Sequence, residues 1–371
     1  MKILVIENYP YLKSQSMDRF AVMLCDGLKG CGHEVRWLKP APFIGRFHPS
    51  STGFGKWLGY PDRFILFRPV LMKAAQWADI VHICDQANAV YIPWLKEKPH
   101  VVTCHDMLAI RSALGEIPEH QTGLTGRIYQ GWILRGLERA MHVTCVSDAT
   151  REDVLRITKL LPKNVSVVRN GLNYPYRPMS SDEAIGHLKK IGIDYGRPFF
   201  LHVGGNFWYK NKAGLLRIFA RMIRLDDNNN ANLLFAGAAL PEELAQLARE
   251  LGVYDRIRTA IYVTNKELCA LYSAAQGLIF PSFAEGFGWP IIEAQACGCP
   301  VFTSNRKPMT DVGGQGAVYF DPEDEAGAAE IIINSIKSKC QLIQRGFQNA
   351  ASHTAENMVS GYIDKYRQIL S

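Results

Sequence analysis

Glu285-Gly286-Phe287-Gly288-Trp289-Pro290-Ile291-Ile292-Glu293 is the stretch on which the reading of this 371-residue chain turns. An apolar run, Gly277 to Pro281, precedes it, and Ala294, Gln295 and Ala296 continue it as a helix. Pro290 suits a first helical turn, where a missing N–H costs nothing and a fixed φ helps. Gly286 and Gly288 let the backbone turn sharply and come close to a ligand. A loop ending at a helix N-terminus aims N–H groups outward and favours an anion such as a phosphate. Glu293 falls in the first turn of that helix and Glu285 at the mouth of the loop. A carboxylate accepts two hydrogen bonds at once, which suits the vicinal hydroxyls of a ribose or a hexose. Taken singly, Glu285 reads as a solvated charge and Glu293 as a carboxylate steadied by the helix dipole. The whole string, in its strand–loop–helix setting, reads as a site for a nucleotide sugar.

Around it, strand-like runs alternate with helix-like segments, the pattern of parallel sheets covered on both faces. In the first half the predicted strands are Lys2–Ile6, Glu34–Leu38, Ile80–Cys84, His100–Cys104, His142–Val146 and Val165–Arg169, with helices between them such as Met17–Lys29, for which Ser16 is a candidate N-cap. The turn from Glu7 to Ser14 lacks Gly-x-Gly-x-x-Gly, which argues against a dinucleotide-dependent dehydrogenase. A stretch rich in turn residues follows, from Asn170-Gly171 to Gly196-Arg197-Pro198. The pattern then restarts, with strands at Phe199–Val203, Asn232–Ala236, Arg258–Tyr262, Leu278–Pro281, Pro300–Thr303 and Ala317–Phe320, and it closes on two helices. The expected domains are therefore 1–170, an interdomain segment 171–197, 198–355, and a last helix over 356–371.

A chain of this length is longer than one core usually grows, so two domains are the prior. Apolar content of 47% with 21% charged residues is that of a folded, water-compatible protein. No run approaches the ~20 apolar residues of a membrane span. The N-terminus reads as a buried strand without a signal peptide's cleavage site. Nine cysteines without regular spacing suit a reducing compartment, and Cys297 and Cys299 lack a second cluster to complete a zinc site. Of the net charge of +7, residues 1–170 carry the excess, 22 Lys and Arg against 15 Asp and Glu, while the remainder balances at 20 against 20. That asymmetry hints at an anionic partner for the first half, or at solubility alone. The bases are dispersed and no recognition motif is present, so nucleic acid is not expected.

The string E-G-F-G-x-P-x-x-E, followed by Ala-Cys-Gly-Cys-Pro-Val, resembles the donor motif of the family-four retaining glycosyltransferases of the two-domain GT-B fold. Further matching strings run from about residue 80 to the C-terminus. The resemblance implies an α/β fold of two Rossmann-like domains with a cleft between them and a C-terminal helix crossing back to the N-terminal domain. It implies that Glu293 holds the ribose hydroxyls, Lys210 (or its neighbour Lys212) the diphosphate, and Glu285 the sugar hydroxyls, with the backbone of Gly286, Phe287 and Gly288 meeting sugar and phosphate. Val203-Gly204-Gly205 resembles the first strand and loop of the donor domain. Gly205 stands where an arginine is frequent, so a second basic contact is missing there. Val263 lies in the segment whose backbone meets the nucleobase in similar enzymes. Val101-Val102-Thr103-Cys104-His105-Asp106 places His105 beyond a strand end, over the donor sugar by resemblance, or else as a structural histidine. Asp106 reads as a cap for the next turn, and Asn170-Gly171 as a chain reversal. Asp226-Asp227 falls in an Asn-rich turn and no Asp-x-Asp stands at a strand end, so no metal and no cofactor are expected.

The expected function is retaining transfer of a hexose from a UDP- or GDP-linked sugar to a hydroxyl of a saccharide or lipid-linked saccharide, in surface polysaccharide or glycolipid synthesis. A non-catalytic sugar-nucleotide-binding subunit and an epimerase or hydrolase on the same fold stand as alternatives. Between residues 43 and 68, Phe43, Phe47, Phe54, Trp57, Tyr60, Phe64 and Phe67 interleave with Arg46, Lys56, Arg63 and Arg68. This suits peripheral contact with a membrane or a lipid-linked acceptor, or two long loops packed over the first domain. The expected location is cytoplasmic, with the inner face of the membrane open as a contact.

Overall fold

The computed structural model describes residues 1–12, 15–50, 53–193, 196–226 and 230–371, with backbone alone over 53–56. Lys13, Ser14 and Asp227, and the side chains of Phe54 and Lys56, lie outside that description. The chain divides into two compact units, Met1–Asn173 with Ala355–Ser371, and Tyr174–Thr354. Of the segment 171–197, residues up to Asn173 belong with the first unit, and Tyr174 onward with the second. Met179 N donates to Ser273 Oγ at 3.1 Å and a helix runs over Ser181–Lys190, so this stretch is packed structure.

The first unit holds a parallel sheet of β1 (Lys2–Ile6), β2 (Glu34–Leu38), β3 (Ile80–Ile83), β4 (His100–Cys104), β5 (His142–Cys145) and β6 (Val165–Val167) in the order β2-β1-β3-β4-β5-β6. Ile3, Val5, Ile80, Val81, Ile83, Val101 and Val102 are buried on both faces, as a sheet covered by helices requires. The helix Ala355–Leu370 seals one face. Its Tyr362 hydroxyl bonds Thr103 Oγ1 at 2.9 Å, its Tyr366 hydroxyl bonds His82 Nδ1, and Val359 fills the space above Gly27.

The second unit repeats the layout with β7 (Phe199–Gly204), β8 (Asn232–Gly237), β9 (Ile257–Ile261), β10 (Gly277–Phe280), β11 (Val301–Ser304) and β12 (Ala317–Phe320), ordered β12-β11-β10-β7-β8-β9. All pairs in both sheets are parallel. Strand order reverses between β7 and β10 here, and between β1 and β3 in the first unit. Such reversals open a crevice at the carboxyl ends of the strands, where ligands of open α/β sheets bind.

Three expectations are corrected. The stretch 53–66 is not loop but helix and π-turn (Gly53–Pro61, Asp62–Leu66), running directly into the helix Phe67–Trp77, where the sequence pattern gives a helix over Val70–Trp77. Asp62 anchors it by accepting from Tyr9 Oη at 2.8 Å and from the Ile44 and Gly45 amides at 2.9 Å each. Ser16 sits inside the helix Gln15–Gly30 and does not cap it. Asn170-Gly171 makes no turn and neither residue takes a positive φ; the Asn170 side chain is buried. Among the described residues no helix is long and apolar enough to cross a membrane.

Candidate active site

In the second unit the loops leaving β7 and β10 meet at the strand-order reversal. Phe283 N donates to Tyr209 O at 2.8 Å and ties one loop to the other. Gly204, at the end of β7, has φ +154°, and a Cβ there would lie 3.2 Å from Lys210 Cε. The lysine stem thus runs directly over bare backbone, which explains glycine at 204. At Gly205 a Cβ would meet the Phe207 ring instead, at 2.9 Å. Asn211 adopts the left-handed region, accepts from Gly214 N at 3.1 Å and donates to Pro322 O at 3.1 Å. It caps the helix Lys212–Leu225 and fixes where Lys210 stands.

Lys210 Nζ donates to Glu285 Oε1 at 2.7 Å, and Ser282 Oγ donates to the same oxygen at 2.7 Å. The two charged side chains are 11% and 9% exposed, so this is a nearly buried pair built from residues 75 apart in sequence. Lys210 Nζ also lies 4.7 Å from the centroid of the Phe280 ring. The β11 end holds the loop from below: Thr303 Oγ1 donates to Phe280 O at 2.9 Å and Ser304 Oγ to Ser282 O at 2.6 Å. Ser282 and Thr303 therefore brace the site.

Gly288 (φ +100°) is the N-cap of the helix Trp289–Ala296, with Pro290 in its first turn. Phe287 is buried, edge-on to His353 at 5.8 Å. Glu293 is 3% exposed and accepts from Tyr272 Oη at 2.9 Å, so the helix Asn265–Ala274 positions it. Burial, then the Glu293 charge, holds that phenol well above its ordinary range, which keeps it a donor. Val263 precedes Thr264, whose reciprocal bonds with Glu267 start the same helix, and Tyr262 beside it takes φ +57°.

Lys212 is buried, bonded to Asn206 Oδ1 at 2.7 Å and 5.2 Å from the Phe235 ring centroid. Burial, and then Lys210, pulls its ammonium down to about 8. Asn206 in turn donates to Ala239 O at 2.8 Å. Lys212 thus stitches the 204–206 loop to the end of β8, whereas Lys210 is the cation beside Glu285.

The first unit has its own polar cluster at the β1/β3 reversal. Asn8 Nδ2 donates to Asp85 Oδ2 at 2.6 Å, and Asn88 Nδ2 donates to Asn8 Oδ1 at 2.7 Å. Glu7 is buried beside it, its carboxyl raised by burial against the opposing pull of Lys39. Sequence reading passed over these residues; an Asp-x-x-Asn following a strand was the available signal. His105 lies just past β4, buried edge-on against Phe20 at 4.9 Å. Its Nε2 meets Cys84 O at 2.8 Å, so the proton sits on Nε2 and Nδ1 is left an acceptor. Burial keeps the ring below its ordinary value although Asp85 pulls the other way. Asp106 caps as expected, accepting from Leu108 N at 2.9 Å. Among the described residues no group of three or more His, Cys, Asp or Glu could hold a metal ion.

Two family profiles cover most of the chain: "Glycosyltransferase Family 4" matches residues 17–174 and "Glycosyl transferases group 1" residues 186–353. The chain belongs to the family-four glycosyltransferases. This glycosyltransferase is 27% identical over 282 residues to O-antigen chain mannosyltransferase B of Escherichia coli, spanning 75% of this chain and 72% of that one. Among solved structures it is similar to sucrose-phosphate synthase from Thermosynechococcus elongatus, with TM-score 0.77 at 17% identity over 100% and 99% of the two chains. A similar likeness links it to Anabaena HepE in complex with UDP-glucose, with TM-score 0.75 at 17% identity over 99% and 100%. Both share the GT-B fold of this glycosyltransferase.

Proposed function

We propose that this glycosyltransferase moves a hexose from a UDP- or GDP-linked donor, with retention and without a metal, to a hydroxyl of a saccharide or lipid-linked saccharide acceptor. The observation that carries the reading is the 2.7 Å pairing of Lys210 with Glu285 at the β7/β10 reversal, beside the Gly288-capped helix that carries Glu293. In this reading the Lys210 ammonium and that helix N-terminus neutralise the diphosphate, a fixed and preorganised positive environment for the departing charge. Glu293, steadied by Tyr272, accepts from the ribose hydroxyls. Glu285 accepts from the sugar hydroxyls, while the Gly205, Val263 and Gly286–Gly288 backbones line the donor. His105, within the first unit, stands as a separate catalytic candidate, a neutral imidazole with Nδ1 as an acceptor. Glu285 already takes bonds from Lys210 and Ser282, an arrangement suited to orienting a sugar more than to attacking it. Retention then has the acceptor enter on the face the diphosphate leaves, the diphosphate oxygen taking the acceptor's proton. A mannosyltransferase among the relatives and a UDP-glucose complex among the structural neighbours support a hexose donor, and they leave GDP and UDP as the two arms of the test.

We also assign peripheral membrane contact to the first unit. Phe47, Trp57, Ile65, Leu66 and Val70 are exposed, with Arg46 and Arg68 among them. On the helix Leu124–Leu137, Leu124, Ile128 and Trp132 form an exposed stripe beside Arg127 and Arg135, and Trp132 packs on Phe64 at 4.8 Å. Apolar side chains interleaved with bases suit an anionic lipid surface.

Thermal unfolding with UDP, GDP or neither, in EDTA or Mg²⁺, tests the donor site. At 100 times its Kd a nucleotide adds about 2.7 kcal/mol, a shift of a few degrees. One nucleotide should stabilise the wild type equally in EDTA and Mg²⁺ and leave Lys210→Ala and Glu293→Ala unmoved. No shift in the wild type, or a shift only with Mg²⁺, would overturn the reading.

A further inference from the structure

Two cysteines lie against the support of Glu293. Cys269, on the helix Asn265–Ala274, and Cys297, at the end of the Glu293 helix, place their sulfur atoms 3.5 Å apart. A disulfide asks for about 2.05 Å, so closing this gap takes ~1.5 Å of side-chain and backbone adjustment. Both cysteines are buried, and Cys269 Sγ meets the carbonyl of Arg177, an exposed residue, at 3.0 Å. The Cys297 hydrogen bond, and more weakly the Arg177 charge, bring the Cys269 thiol down to about 7 against the opposing effect of burial. Cys104, in direct register with Cys145 on the neighbouring strand, goes well above its ordinary value instead. A nucleophilic thiol beside a resolving thiol is the arrangement of redox-sensor cysteines.

We propose that Cys269 and Cys297 form a peroxide-sensitive dithiol whose oxidation to a disulfide disables the Glu293 carboxylate. The Cys269 thiolate attacks one peroxide oxygen, the O–O bond breaks, and the hydroxide released takes a proton to become water. Cys297 sulfur then attacks the sulfenic sulfur of Cys269; the S–S bond forms, the thiol proton is lost, and a second water leaves. Two thiols give up two electrons and one hydrogen peroxide becomes two waters. The effect on Glu293 follows from the geometry. Cys269 is one helical turn before Tyr272, which holds Glu293, and Cys297 is one turn after Glu293, its N–H bonded to Glu293 O at 3.2 Å. Drawing the sulfurs together pulls on both ends of that brace. The consequence for nucleotide binding rests on the assignment of Glu293 above; the disulfide itself does not.

The test uses the full chain with exposed Cys31 and Cys340 changed to Ser. After hydrogen peroxide, alkylation and peptide mapping should find a Cys269–Cys297 disulfide that dithiothreitol reverses, forming faster as pH rises from roughly 6 to 8. Adding Cys297→Ser should stop the reaction at a sulfenic acid on Cys269, captured by dimedone. The oxidised protein should bind its nucleotide at least about tenfold more weakly, with recovery on reduction. Both thiols remaining free for alkylation, together with no dimedone adduct in the Cys297→Ser protein, would overturn the dithiol. A disulfide that leaves nucleotide affinity unchanged would overturn the coupling. A reduced protein that binds no nucleotide would instead refute the donor-site assignment, with the disulfide map still deciding the chemistry.

Discussion

Replacing Glu285 by Gln should separate the sugar from the nucleotide. The Glu285 carboxylate holds the Lys210 ammonium at 2.7 Å, so a diphosphate must compete with it for that cation. Replacing the ion pair by an ammonium–amide hydrogen bond forfeits about 1 kcal/mol in this nearly buried setting. The folded protein should lose about that much stability, a shift of ~2–4 °C. The same change releases Lys210 and removes a negative charge from beside the phosphates. At RT of about 0.59 kcal/mol, 1 kcal/mol corresponds to about fivefold tighter nucleoside diphosphate. Sugar transfer should meanwhile fall by about 10²–10³-fold, the usual cost of removing an aligned polar contact to the reacting group. Lys210→Ala supplies the contrast. It leaves the Glu285 carboxylate beside Ser282 without the cation, at a cost of ~3 kcal/mol, and it should abolish nucleotide binding. Calorimetric titration with UDP and GDP, alongside turnover of the donor that binds, reads all of this. Nucleotide bound tenfold more weakly by Glu285→Gln with turnover intact would refute the reasoning, because Glu285 would then be a nucleotide contact.

Three further outcomes are expected. His82 and His202 are buried in different units, and burial pushes each down to about 3 from an ordinary 6.5. The unfolded chain therefore binds these protons first; stability is full above 6.5 and is lost as pH falls from there toward 3. Each site costs about 2 kcal/mol at about pH 5, so His202→Leu should flatten the fall in Tm between about pH 7 and pH 5, and an unchanged slope would contradict it. Gly288→Ala puts a Cβ 3.3 Å from Ile291 Cδ1 at φ +100°, costing about 1–2 kcal/mol and weakening nucleotide binding by displacing the helix N-terminus; equal affinity by titration would count against that terminus as a phosphate site. Wild type should float with anionic vesicles at low salt, and Ile65→Glu with Trp132→Glu should sediment; identical behaviour on a gradient would remove the membrane contact.

The central strands were legible because parallel strands buried on both faces spell nearly continuous runs such as Ile3–Ile6 and Val101–Val102, whereas the edge strands Glu34–Leu38 and Ile257–Ile261 are largely exposed. The donor loop was legible for a local reason too, its glycines and proline being demanded by backbone geometry that a single segment satisfies. The helix and π-turn over 53–66 were not legible, whereas the helix ending at Trp77 was. Gly55, Gly59, Pro61 and Pro69 all argue against helix, and the segment is held by Tyr9, which packs against Gly59, and by the distant amides that bind Asp62. The partner of Lys210 was hidden for the same reason, since only the sheet order brings β7 and β10 side by side. Lys212 had been a near-equal choice from sequence, and its bond to Asn206 is what distinguishes it.

The helix Ala355–Leu370 is made after every residue of the second unit, yet it belongs to the first. On a ribosome the sheet of the first unit therefore emerges without one of its covering layers, with His82 and Thr103 lacking the hydroxyls that will bond them. The second unit, continuous from Tyr174 to Thr354, can close on itself in the meantime. Translation order and completion order are thus reversed, and a stop codon within 355–370 would strike the domain whose strands are translated first.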